Sequence, residues 1–105
     1  MILVRMVFQT QWGKSQEVAE QFKQGMEMIQ RVHGKAGQIR ILTDLSGTFN
    51  RVVQEIEVES LAVWEQSRTA IFSDPEFQEL QANSPIPFES GYVEFFTIEA
   101  TSDPS

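Results

Sequence analysis

Gln38-Ile39-Arg40-Ile41-Leu42-Thr43-Asp44 and Arg51-Val52-Val53-Gln54-Glu55-Ile56-Glu57-Val58-Glu59 are two alternating runs with Ser46-Gly47-Thr48 between them. In the first run, Ile39 and Ile41 point one way, and Arg40 and Leu42 the other. In the second, Val52, Ile56 and Val58 share a face with Gln54, while Val53, Glu55 and Glu57 lie opposite. A period of two means strands. The turn supplies a glycine, Gly47, that can take positive φ, so the pair reads as a hairpin.

Moving outward, the N-terminal flank is a helix and then a strand. Val18, Phe22, Met26 (or Gly25), Ile29 and Val32 recur at helical spacing, with Gln, Glu and Lys on the other face. Ser15 is expected as its N-cap and Gly34 as its C-cap. Before it, residues 2–10 alternate: Ile2, Val4, Met6 and Phe8 against Leu3, Arg5, Val7 and Gln9. On the C-terminal flank, Ser60 caps a helix carrying Leu61, Trp64, Arg68, Ile71 and Phe72. Asp74-Pro75 restarts a short helix with Phe77 and Leu80, because proline suits a first helical position. Ser84-Pro85-Ile86-Pro87 reads as a loop and Gly91 to Glu99 as the last strand. The order strand, helix, strand, strand, helix, strand fits an α+β domain with a four-stranded antiparallel sheet. Residues 1–100 are expected to form that single domain, and 101–105 a flexible C-terminal tail.

The 105 residues carry a net charge of −7 with only eight Lys and Arg. No basic run is present, so nucleic acid is not an expected partner, and an anionic membrane surface is disfavoured. Ile2 to Phe8 is interrupted by Arg5 and is too short for a signal core or a membrane span. With no cysteine, a disulfide framework and thiol chemistry are excluded. A reducing, cytoplasmic location is the expectation.

One sheet face collects Ile2, Val4, Met6, Phe8, Ile39, Ile41, Val52, Ile56, Val58, Val93 and Phe95, and should pack under the helices. The other collects Leu3, Arg5, Val7, Gln9, Arg40, Leu42, Val53, Glu55, Glu57, Tyr92, Glu94, Phe96 and Ile98. A contiguous patch this apolar marks an interface, and the simplest partner is a second copy about a two-fold axis. Arg5, Val7, Arg40, Leu42, Val53, Glu55, Tyr92 and Phe96 are the expected dimer contacts, with the arginines neutralising Glu55, Glu57 or Glu94 there. The alternative is a half-solvated face with surface ion pairs.

Gly47-Thr48-Phe49-Asn50 followed by Arg51-Val52-Val53 resembles the central hairpin of NIPSNAP-type domains. Ser60-Leu61-Ala62 with Trp64, and Asp74-Pro75-Glu76-Phe77 closing the second helix, resemble them too. The topology is similar to the wider dimeric α/β barrel superfamily, which includes antibiotic-biosynthesis monooxygenases. The resemblance implies a ferredoxin-like βαββαβ protomer pairing into a dimeric α/β barrel, with any pocket between sheet and helices. NIPSNAP-type domains bring no defined catalytic set. Haem-degrading members of the superfamily use an asparagine on the first strand and a tryptophan and histidine near the second helix. Here Trp64 has a counterpart role, but the first strand carries Gln9 and the second helix has no histidine.

Chemistry is sparse. His33 is the only histidine, placed at a helix C-terminus where the dipole favours its protonated form as a cap. One histidine without cysteine supports no metal site, and no cofactor is expected. Glu55 and Glu57 share a strand face and read either as paired carboxylates or as interface charge. Met6, Phe8, Trp64 and Phe72 are candidates to line an apolar pocket, or are plain core. Gln54 is the one polar member of the helix-facing row, and a buried amide needs a partner. Trp12 either shields a pocket mouth or packs on the loop. Three functions stay open: a small apolar or aromatic ligand bound by a NIPSNAP-like homodimer, cofactor-independent oxidation of an aromatic or quinol substrate, and an interaction module with no ligand.

Overall fold

Period-two alternation becomes four antiparallel strands in the order β2-β3-β1-β4. The computed structural model describes residues 1–33, 37–47 and 49–102. Along the chain run β1 (Ile2–Thr10), α1 (Ser15–His33), β2 (Ile39–Thr43), β3 (Arg51–Val58), α2 (Leu61–Ser73), α3 (Pro75–Asn83) and β4 (Phe88–Thr97). This is the α+β ferredoxin-like arrangement, extended by the short α3. Gly34, Thr48, residues 103–105 and the side chain of His33 lie outside what is described, and with them the expected C-cap and part of the turn. Thr101 and Ser102 are exposed and outside regular structure.

The register puts every residue of the apolar row on one face. Val4 stands opposite Ile56 and Phe95, and Met6 opposite Gln54 and Val93. Val4, Ile39, Ile56 and Val58 form one buried cluster, against which Met6, Met26, Ile29 and Trp64 pack. Val18, Phe22 and Val52 form a second, joined by Phe8, Ile41 and Ile86. Phe8 sits edge-on to Phe22 at 5.1 Å and to Phe88 at 5.6 Å, geometries that favour aromatic pairs.

Three details differ from expectation. Ser15 is the first helical residue, and the Lys14 carbonyl accepts the first helical bond from Val18. Strand β4 begins earlier, at Phe88, where a register shift at Gln9 and Thr10 lets it continue past Gly91. A Cβ on Gly91 would stand 3.0 Å from the Val7 carbonyl oxygen, so the closeness of β1 explains glycine there. Val93 and Phe95, expected under the helices, remain 47% and 48% exposed. The reason is helix placement: α1 lies over β2 and β3, and α2 over β3, so β4 stays bare on that face. Gly47 does take positive φ, at 93°, and Asn50 also adopts a left-handed conformation.

Asp74 ends one helix and begins the next. Its backbone N–H donates to the Ile71 carbonyl, and its carboxylate accepts from the Phe77 N–H at 3.2 Å. Arg31 of α1 reaches both Asp74 and Glu76, tying α3 to α1. Asp74→Ala is expected to lower stability by about 1–2 kcal/mol through the lost cap and to loosen α3 first. Hydrogen exchange at Phe77 and Gln78 would read that loosening, and unchanged protection there would show the cap is idle.

Candidate functional site

Because α3 folds back beside α1, a cavity of about 130 Å³ is left between the two helices and the sheet. Phe22, Met28 and Ile29 of α1, Phe77 and Leu80 of α3, and Ile86 of the following loop make its apolar wall. Gly25 also faces it, and no atom lies within 4 Å of where its Cβ would be. A mid-helix glycine costs about 0.5–1 kcal/mol relative to alanine; here its missing side chain leaves room.

From the sheet, Gln54 enters this cavity. The residue is 6% exposed; its side-chain amide makes no hydrogen bond among the described residues but is not sealed from solvent. Opposite it on α1 is Gln21. Its Nε2 donates to the Ser84 carbonyl at 3.4 Å, and its Oε1 is buried with no partner among the described residues. Buried polar atoms are nearly always satisfied. The buried, unpartnered Gln21 oxygen, with the Gln54 amide beside it in one apolar cavity, is therefore the chemically distinctive feature of the helix side.

Of the five residues expected to line a pocket, only Gln54 lines this one. Met6 and Trp64 pack against the first core cluster, and Phe8 against the second. Phe72 is 51% exposed and does not face the sheet. Its position on α2 lies one residue, about 100° of turn, beyond the half-buried Ile71. There it meets Phe77 of α3 edge-on at 5.3 Å and the Arg68 guanidinium at 5.6 Å. Trp12 lies away from the cavity. It is exposed and packs edge-on against Phe49 at 6.2 Å, where Gly13 N–H donates to the Asn50 side chain and ties the loop after β1 to the β2–β3 hairpin.

The opposite sheet face, which carries no helix, is organised by charge. Arg5 Nε lies 3.4 Å from Glu55 and its Nη1 3.2 Å from Glu94, and Arg40 also bonds Glu55. These pairs form within one chain, so Glu55 is held by two guanidiniums and is not a free acid–base group. Leu42, Tyr92 and Phe96 stay exposed beside them, whereas Val7 and Val53 are already buried by their neighbours. Among the described residues no group of three or more His, Asp or Glu side chains is placed to hold a metal ion. No described helix is long and apolar enough to cross a membrane.

The four-stranded antiparallel sheet with its helices on one side is a ferredoxin-like fold also found in NIPSNAP-domain proteins. The structure superposes on an uncharacterized NIPSNAP domain protein from Burkholderia xenovorans with a TM-score of 0.82 at 21% identity, covering 99% of this chain and 100% of that one. It is similar to a NIPSNAP family protein from Agrobacterium tumefaciens at a TM-score of 0.79 and 16% identity, over 91% and 90% of the two chains. A more distant likeness is to a putative antibiotic biosynthesis monooxygenase from Nitrosomonas europaea, at a TM-score of 0.72 and 10% identity, over 95% and 100%. At these identities the likeness is one of fold. No protein-family model and no curated protein matches the sequence.

Proposed function

We propose that the protein binds a small, largely apolar molecule between its sheet and helices α1 and α3, and that it does so as a homodimer joined through the bare sheet face. The observation that carries the binding reading is the amide pair of that apolar cavity: Gln21 Oε1, buried without a partner among the described residues, with the Gln54 side chain beside it on the sheet. Such a group lowers stability by about 1–3 kcal/mol unless something pairs with it. A ligand's polar atom is the natural partner.

The dimer reading rests on the opposite face. Its two arginines pair with Glu55 and Glu94 within the chain, so most of the charge there is compensated before two copies meet, Glu57 being the carboxylate of that face without an ion pair among the described residues. The exposed Leu42, Tyr92 and Phe96 supply apolar surface for that contact.

Gln54→Leu tests the first reading. Replacing an unpartnered amide by an apolar side chain of similar size should stabilise the ligand-free protein by on the order of 1 kcal/mol in urea unfolding. The same change should weaken any co-purifying ligand while leaving assembly intact in native mass spectrometry. A Gln54→Leu protein that is less stable would show that the amide serves the fold and not a ligand. Oxygen consumption with a quinol separates binding from turnover, the activity class suggested by the monooxygenase likeness.

A further inference from the structure

We propose that the cavity takes a neutral, single-ring molecule bearing a hydroxyl or N–H donor, a phenol being the simplest; this rests on the ligand-binding reading above and narrows it. Size comes first. The cavity measures about 130 Å³, and an apolar cavity of roughly 150 Å³ admits benzene. Walls made by Phe22, Phe77, Met28 and Leu80 suit a ring, whose edges and faces pack well against aromatic and thioether groups.

Charge comes second. Among the described residues no Asp, Glu, Lys, Arg or His lines the cavity; the polar groups there are four glutamines, Gln21, Gln24, Gln54 and Gln81, and Ser84. An ion placed here would shed part of its water against the apolar walls without gaining a counter-ion from the described residues, which is unfavourable. The occupant is therefore neutral.

Hydrogen bonding comes third. A carbonyl oxygen only accepts, so the contact with Ser84 assigns the Gln21 nitrogen to that side and leaves Oε1 as the buried orphan. An orphan acceptor is satisfied by a donor. Gln54 can donate or accept. A hydroxyl does both, giving its proton to one amide oxygen and receiving an N–H from the other amide. A plain hydrocarbon satisfies neither, and a ketone or ether cannot serve Gln21.

The test is a titration of the whole protein, followed by ligand-observed and ¹⁵N NMR, with phenol, toluene and benzoate. Phenol is expected to bind and to move the side-chain NH₂ signals of Gln54 and Gln21. Toluene has the same shape without the donor and should bind about tenfold more weakly or worse, the size expected for a hydrogen bond to a buried amide. Benzoate should not compete with phenol. In Gln54→Leu, phenol affinity should fall about tenfold while toluene holds or tightens; Gln21→Met should give the same pattern if the first variant folds poorly. Equal binding of toluene and phenol would remove the donor requirement but keep the apolar-ligand reading. Preferential binding of benzoate would overturn neutrality. No binding by any of the three would overturn both this inference and the ligand-binding reading beneath it.

Discussion

Ile56→Ala should destabilise the protein by about 2–5 kcal/mol, the range for removing a large aliphatic group from a packed core. Ile56 is 2% exposed and stands in register with Val4 of β1 and Ile39 of β2. Met26, Ile29 and Trp64 pack against the cluster it belongs to. Strands on both sides hold the backbone in place, so the hole cannot collapse readily. Domains of this size are stable by roughly 5–15 kcal/mol, and the variant should lose a large part of that. Val93→Ala on the same face is the control. Its side chain is about half exposed, and its loss should cost well under the Ile56 value. Urea unfolding of the two variants reads the difference directly, and equal losses would mean that the helices cover β4 after all.

The second large effect is on assembly. Leu42→Glu should turn the proposed dimer into monomers with the chain still folded. Leu42 lies on β2 opposite Val53, on the bare face, and is 39% exposed. Exchanging it opens no cavity in the protomer. Across a two-fold contact, however, it buries an unpaired carboxylate on each side, because nearby Arg40 is already engaged with Glu55. A buried unpaired charge costs several kcal/mol, so the dimer dissociation constant should rise by about 100-fold or more. Sedimentation velocity at matched concentrations would show it. A dimer of undiminished strength would place the contact elsewhere, with the bare strip of Val93 and Phe95 the next surface to alter.

Strand faces were legible in the sequence because alternation is a property of the local chain. Val4, Met6 and Phe8 fall on the helix side, and Arg5 and Val7 opposite, as their parity requires. Gln54 was legible for the same reason: it is the polar exception in an apolar row. Which strands a helix covers is set by tilt and connection, and that is why Val93 and Phe95 were misjudged. The assignment of Phe72 failed on α2 because Ile71 and Phe72 are both large and apolar, and only the packing of α3 decides which one turns inward. The cavity itself depends on α3 folding back against α1. Its far wall, Phe77 and Leu80, was visible only as an apolar pair at helical spacing. Two signals pointed toward it: Gly25 in the middle of an amphipathic helix, and Arg31 set to meet the acids around Pro75.

The position of β1 in the middle of the sheet has a consequence for how the chain is made. The β2–β3 hairpin is the one pairing between neighbours in sequence; β1 must wait for both of its partners. It gains β3 first, but its other edge is covered only when β4 arrives, with Ile2 set against Thr97. Bringing such distant segments together carries a loop-closure penalty and slows folding. Until Phe88 to Thr97 has left the ribosome, β1 presents a row of free N–H and C=O groups to any strand that passes. Closure of the sheet is therefore a late event in biosynthesis, and a chain cut short before β4 is the form most exposed to mispairing.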